Sequence, residues 1–372
     1  MKAATGVLAL VFMISRCTHG YAVESDGNEL VLVAVLYRDG DKTPTSSFPK
    51  DPYFDLAYWP MGFGQVTEQG KLRQYRLGQW LRERYSGFLP DVYNVSDIYV
   101  RSTDTDRALI SAQANLAGLY PPIKNEKADD VQLPQYIPIH TLPTNEDQVL
   151  YMERPCPKFY RLYDEVKDTD FFKNINKDFA EFYDEVSKVT GWQIDDVDYF
   201  YSLQSVLNVY ANVAPEYLPS WYQDLDKDKV QYLAGLSYAR YTFTDDLKRL
   251  GDGPFFDHLL NHFDKIMDKD QPSQKFLMMS AHSATISSVL NGLRLFDYKQ
   301  PEFASVIIWE LRKGSDGGYY INMFYRRNAE VEMEQLKLSQ CSSDCKYQTF
   351  RSIVEPLAVE LGAWDLECQE QE

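Results

Sequence analysis

Three short segments carry side chains suited to chemistry on an anion. Arg38-Asp-Gly-Asp-Lys42-Thr-Pro44 places two cations and two carboxylates in one turn-rich loop. Arg101 ends the run Asp97-Ile-Tyr-Val-Arg101, and Ala281-His282-Ser283 follows Phe276-Leu-Met-Met-Ser280. A guanidinium fork matches the oxygens of phosphate or carboxylate, so converging arginines and a histidine point first to an anion site. Singly, each would read as a loop cap or the partner of a nearby acid. Three at the ends of apolar runs favour a shared pocket.

The elements that must position them follow from periodicity. Leu30 to Tyr37 (LVLVAVLY) is an unbroken apolar, β-branched run, the pattern of a strand buried on both faces. In open α/β sheets, sites form just beyond the carboxyl ends of strands, which is where Arg38 to Pro44 lies. Thr67-Glu-Gln-Gly70 opens a predicted helix to about Tyr85, with Leu72, Tyr75, Leu77, Trp80 and Leu81 at helical spacing. Asp97 to Arg101 reads as a second strand. Ser102-Thr103-Asp104 offers N-caps for a helix from Thr105 to about Leu119, closed by Pro121-Pro122. Phe276 to Ser280 is a further strand, and Ala304 to Leu311 with Tyr319 to Tyr325 reads as a hairpin. A last helix is expected from Tyr347 to about Leu361. Between 151 and 256 helical periodicity and aromatics dominate, which predicts a helical insertion domain. The α/β domain then comprises 23–150 and 257–372.

The N-terminus carries Lys2, the short apolar run Gly6 to Ile14, and Gly20-Tyr-Ala22, the pattern of a secretory leader cleaved after Ala22. The run falls short of the roughly 20 residues that span a bilayer. The 372-residue chain has a formal net charge of -17, and -19 once Lys2 and Arg16 leave with residues 1–22. So acidic a surface disfavours nucleic acid and anionic membranes as partners. Four cysteines remain after Cys17, and an even count in an oxidising compartment reads as two disulfides. Cys341 and Cys345 are near enough to close a small loop, leaving Cys156 with Cys368. Asn94-Val-Ser96 is an N-glycosylation sequon.

Arg38-Asp-Gly-Asp-Lys-Thr-Pro44 resembles the R-H-G-x-R-x-P signature of histidine acid phosphatases. Arg101-Ser-Thr-Asp-Thr-Asp-Arg107 resembles their second arginine motif, and Ser280-Ala-His-Ser283 their S-A-H-D. Gly64-Gln-Val-Thr67, Ile139-His-Thr-Leu-Pro143, Leu218-Pro-Ser-Trp221 and Cys341-x-x-x-Cys345 extend the likeness over most of the chain. The resemblance implies a phosphoglycerate mutase-like α/β fold, an open, mainly parallel sheet flanked by helices, with a smaller helical insertion. It also implies that Arg38, Arg101 and His282 form the family's phosphoryl clamp.

Three positions depart from that pattern. Asp39 stands where the family has its nucleophilic histidine, Lys42 where it has a second arginine, and Ser283 where it has a proton-donating aspartate. A carboxylate opposes phosphate, lysine loses bidentate geometry, and serine is no general acid near neutral pH. Aspartate can accept phosphoryl groups, but with a metal and further acids that have no counterpart here. The expectation is a pseudoenzyme without metal or cofactor. The sequence is also similar to salivary acid phosphatase-like proteins of blood-feeding insects such as fleas, which implies a secreted scavenger of biogenic amines such as serotonin, and of leukotrienes. Its ligand-binding residues would be Arg38, Asp39, Lys42, Arg101, His282, Ser283 and, by position in the insertion, Tyr201. The alternatives are a weak phosphatase and a protein-binding antihaemostatic module. His258 and His262 have an i, i+4 spacing but lack the H-E-x-x-H signature, so they read as ordinary helix histidines. His140 reads as structural.

Overall fold

A computed structural model describes residues 28–123, 132–268 and 273–369; the leader expected at 1–22 and Cys17 lie outside the described residues. The apolar run at the start becomes β1 (Glu29–Arg38). Next come α1 (Glu68–Arg84), β2 (Ile98–Ser102) and α2 (Asp106–Leu119). Helices α3 (Pro157–Lys167), α4 (Asp170–Asp178), α5 (Ala180–Thr190), α6 (Asp198–Val213), α7 (Lys227–Arg240) and α8 (Asp245–Met267) follow. The chain returns to the sheet with β3 (Phe276–Ala281), α9 (Ser283–Gly292), β4 (Val306–Lys313), β5 (Tyr319–Arg326), β6 (Glu334–Leu336) and β7 (Cys345–Lys346). It closes with α10 (Tyr347–Val354) and α11 (Leu361–Glu367).

The strands form one mixed sheet in the order β2-β3-β1-β4-β5-β6, with β7 also paired to β5. β3 lies between β1 and β2 and is parallel to both. β4 joins β1 antiparallel, β5 reverses again, and β6 and β7 run antiparallel to β5. Strands β1, β2, β3 and β5 therefore point one way. Val33, Val35 and Tyr37 pack on one face with Leu77, Leu81 and Leu116 of α1 and α2. Leu32, Ala34 and Leu36 pack on the other with Phe256, Leu259 and Ile286 of α8 and α9. Both faces of β1 are covered, which is why its sequence is apolar without alternation. Each of the buried valines, leucines, isoleucine and phenylalanine contributes about 1.5–3 kcal/mol on full burial.

The Thr67 hydroxyl caps α1, accepting from Gly70 N at 3.0 Å. The cap of α2 differs from the expectation. Thr105 occupies that position without a side-chain bond to the helix N–H groups, because Ser102 ends β2 and the Thr103 hydroxyl turns instead to His282. A Cβ on Gly40 would lie 2.4 Å from the Gly70 carbonyl oxygen. Only glycine lets the Arg38–Pro44 loop lie so close to α1.

Among the described residues no strand falls between 151 and 256, and Phe172, Phe182, Leu203, Leu207 and Leu233 build a helical core there. Position 256 is no break, however. Helix α8 runs through it, giving Leu247 and Leu250 to the helical core and Phe255 to Phe263 to the sheet. The single helix expected from Tyr347 to Leu361 is two. Pro356 has no N–H to continue the helical hydrogen-bond series, and α10 stops at Val354. Cys156 is bonded to Cys368, joining the start of α3 to the end of α11, and Cys341 is bonded to Cys345.

Candidate functional site

Strand register decides which side chains meet. Ala281 of β3 pairs with Arg38, while Met279 pairs with Leu36 on one side and Arg101 on the other. Arg101 is therefore level with Leu36, two residues short of Arg38, or roughly 6–7 Å down the sheet at the usual strand rise. Its guanidinium is spent there on the buried Asp147 carboxylate, at 2.6 Å. That oxygen also accepts from the backbone N–H groups of Val149 and Leu150. Arg101 thus anchors the 147–150 segment and is not part of the expected clamp. Arg107, in the first turn of α2, takes that place, with Nε 3.9 Å from Asp39 Oδ1.

Backbone bonds fix the loop that carries Asp39. Asp39 N donates to Ala281 O, Ala304 N donates to Asp39 O, and Gly40 N donates to the Ser111 hydroxyl. The carboxylate is 2% exposed. Burial alone would raise its pKa, but the His282 hydrogen bond and the charges of Arg38 and Arg107 outweigh this and hold it well below the ordinary range. His282 Nδ1 lies 3.2 Å from Asp39 Oδ1, and Nε2 lies 2.9 Å from Thr103 Oγ1. An ionised carboxylate only accepts, so Nδ1 carries the proton. Burial lowers the histidine pKa more than Asp39 raises it, so the ring is neutral at pH 7 and Nε2 accepts from Thr103. The series Asp39–His282–Thr103 has the layout of an orienting acid, base and nucleophile. Thr103 is fully buried, however, so the series holds the imidazole rather than presenting a hydroxyl.

The cations differ in how they are used. Lys42 is buried, with Nζ 3.2 Å from the Thr45 hydroxyl. Burial pushes its pKa down to about 7 despite Asp39, with Arg38 and Arg107 adding repulsion. Arg38 donates to the Pro301 carbonyl and lies 4.1 Å over the Phe303 ring. Asp41, the other acid of the loop, faces Arg73 at 3.2 Å.

Ser283 begins α9, and its hydroxyl lies 3.1 Å from the Tyr238 hydroxyl, which also accepts from Gln300 at 2.7 Å. Tyr201 packs on the Tyr238 ring at 4.7 Å between centroids, one ring behind Ser283. The aromatic edge beside His282 belongs instead to Tyr151, at 6.0 Å. Register thus brings together Arg38, Asp39, Lys42, His282 and Ser283, adds Arg107, Thr103, Tyr151 and Tyr238, and leaves Arg101 outside. An arginine in the first turn of a helix beginning just past β2 was the available signal for Arg107. No one-dimensional pattern marks the tyrosines.

His140 pairs by backbone with β2 and stacks on Tyr99, a structural placement. His262 bonds the Gln274 carbonyl, while burial holds His258 down to about 3. Among the described residues no group of three or more His, Cys, Asp or Glu is placed to hold a metal ion.

At this centre the Asp39 carboxylate repels an incoming phosphate, while Arg38, Arg107 and Lys42 attract it. A negative group brought to about 4 Å from the Asp39 carboxylate meets roughly 4 kcal/mol of repulsion per unit charge at an effective dielectric of about 20. No carboxylic acid stands at position 283 to protonate a leaving alcohol.

Comparison with known proteins gives a consistent family. Residues 29–326 match the Histidine phosphatase superfamily (branch 2). Lysosomal acid phosphatase of Rattus norvegicus is 35% identical over 352 residues, covering 91% of this chain and 80% of that protein. Prostatic acid phosphatase of Homo sapiens is 34% identical over 344 residues, covering 91% and 88%. The solved structure of Klebsiella sp ASR1 phytase superposes with a TM-score of 0.67 at 16% identity, covering 93% of this chain and all of that one, a likeness of fold alone. Among the described residues no helix is long and apolar enough to cross a membrane.

Proposed function

The chain belongs to the histidine phosphatase superfamily, branch 2, and from that membership we propose that it is a disarmed acid phosphatase-like protein that binds small ligands in its former catalytic cleft. One observation carries the reading. Asp39, where the family's nucleophilic histidine would stand, is a buried carboxylate held between His282 and Arg107.

The favoured ligand class is a biogenic amine such as serotonin. Asp39 Oδ2 is buried without a hydrogen-bond partner, and the Arg107 contact at 3.9 Å is long enough for an ammonium to compete with it. Tyr151 places an aromatic ring beside the same histidine, 6.0 Å away between centroids. Leukotrienes, held through their carboxylate by Arg107 and Lys42, are the second class. The protein would act stoichiometrically outside the cell, as a salivary scavenger of host mediators. Two disulfides, the leader expected at 1–22 and the exposed Asn94 as a glycosylation site support that setting. The helices from 151 onward would form an insertion over the α/β unit, with α8 shared between the two cores. Residual phosphatase activity is the second reading, favoured by the surviving cluster of Arg38, Arg107 and His282.

Calorimetry with serotonin, histamine and leukotriene C4 tests the proposal. Micromolar binding weakened at least tenfold by Asp39→Asn supports the amine reading. No binding of any of the three defeats it.

A further inference from the structure

A second cavity, of about 920 Å³, opens between the outer side of α2 and the segment 134–139. On α2 it is lined by Leu109, Gln113, Leu116, Ala117 and Tyr120, whose spacing of three and four puts them on one helix face. Leu116 and Tyr120 are buried and form the floor, while Gln113 and Ala117 are exposed. Ile137 and Ile139 face them from the segment, and the Tyr136 ring stands 74% exposed beside the opening. None of the lining residues belongs to the Asp39 centre.

The far wall is held in place at both ends. Gln135 Nε2 donates to the carbonyls of Asp91 and Pro121, each at 2.9 Å, and Gln135 Oε1 accepts from Tyr93 N at 2.7 Å. Beyond the cavity, His140 N donates to Val100 O and Ser102 N donates to His140 O, pairing the chain with β2. Pro134 and Pro138 fix φ between those anchors. The gap is therefore kept open by bonds that do not depend on a ligand, and little ordering is needed to fill it.

The chemistry of the walls is one-sided. In a chain of net charge -17, no lining residue is charged. The Gln135 amide is spent on its backbone partners, but the exposed Gln113 amide has no hydrogen-bond partner among the described residues. It offers both a donor and an acceptor. The chain supplies no apolar plug nearby in sequence, since five of the eight residues from Lys124 to Val131 are charged.

We propose that this cavity binds a neutral, largely apolar small molecule carrying one hydroxyl or carbonyl group. The aliphatic and tyrosine walls take the apolar body, and Gln113 meets the polar group. A carboxylate or ammonium head would lose water there without meeting a counter-charge. The volume lies within the usual range for small-molecule sites. The proposal makes no use of the Asp39 carboxylate and stands apart from the amine reading.

Fluorescence of N-phenyl-1-naphthylamine, displaced at pH 7.5 by 1-decanol, decanoate or decylammonium, tests it with one chain length and three heads. Decanol is expected to displace the probe at a concentration at least tenfold lower than either ion. Ala117→Trp, an exposed change that fills the cavity, should weaken probe and decanol at least tenfold. If that variant does not fold, Gln113→Trp occupies the same space. Arg107→Ala, at the Asp39 centre, should change decanol binding less than twofold. Absence of probe or decanol binding, equal displacement by decanoate or decylammonium, or indifference to the tryptophan overturns the proposal. So does loss of decanol binding on Arg107→Ala, which would place the ligand in the former centre. A dimer in sedimentation that Ala117→Trp dissociates would give this face to a second copy, and overturns it too.

Discussion

The Asp39 carboxylate accepts a hydrogen bond from His282 Nδ1 at 3.2 Å, linking the first residue beyond β1 to the first beyond β3. The parallel pairing of those strands makes the contact possible, since Arg38 and Ala281 are in register. The side chain that removes the expected nucleophile therefore also fixes the tautomer of the surviving histidine. The replacement of the histidine and the ordering of the site thus trace to one side chain.

Restoring the family's residues should restore its chemistry. Asp39→His, Lys42→Arg and Ser283→Asp together should raise p-nitrophenyl phosphate hydrolysis at least 10²-fold above the starting protein, the lower end of what general acid catalysis alone supplies. Arg107→Ala in that background should abolish the gain. A folded triple variant without turnover would locate the loss elsewhere, with Tyr238 over position 283 as the first suspect.

The two arginines of the second motif should separate cleanly. Arg101→Met leaves Asp147 buried without its partner and should cost about 3–5 kcal/mol of stability. Amine binding by the protein that remains folded should hold. Arg107→Ala should do the reverse, altering ligand binding with a smaller stability loss. Denaturant titration and calorimetry on both variants check this, and equal effects would contradict the assignment.

Lys42 gives a pH signature of definite sign. Unfolded, it keeps its proton to about 10.4; folded, only to about 7. Between those values the unfolded state binds more protons, so the Lys42 contribution to stability rises with pH. Its penalty is fully present below pH 7 and relieved towards pH 10. The stability difference between Lys42→Met and the starting protein should therefore shift against the variant from pH 6 to 9.5. A pH-independent difference would contradict a buried, destabilised ammonium.

The two disulfides should be unequal. Cys156–Cys368 spans 212 positions and Cys341–Cys345 only 4. In the chain-entropy account the longer loop constrains the unfolded chain more. Cys156→Ala with Cys368→Ala should lower the melting temperature more than Cys341→Ala with Cys345→Ala, by calorimetric scan.

Much of this was legible in the sequence, for definable reasons. β1 could be read because burial on both faces leaves a run with no polar residue from Leu30 to Tyr37, and the loop after it because polarity changes abruptly at Arg38. Asp39, Lys42 and Ser283 stand out against a motif. Arg101 misled because adjacency to a strand end says nothing of register. A two-residue offset between β2 and β1 carries it to Asp147, while Thr103 reaches His282. Tyr151 and Tyr238 arrive from helical and loop segments far along the chain, and only tertiary packing brings them to the site.

The most direct test of the account is p-nitrophenyl phosphate hydrolysis by the purified, unaltered protein between pH 4 and 7, measured beside serotonin binding on the same preparation. The account predicts stoichiometric binding and no turnover above background. Phosphate release that scales with protein and disappears in Arg107→Ala would contradict it.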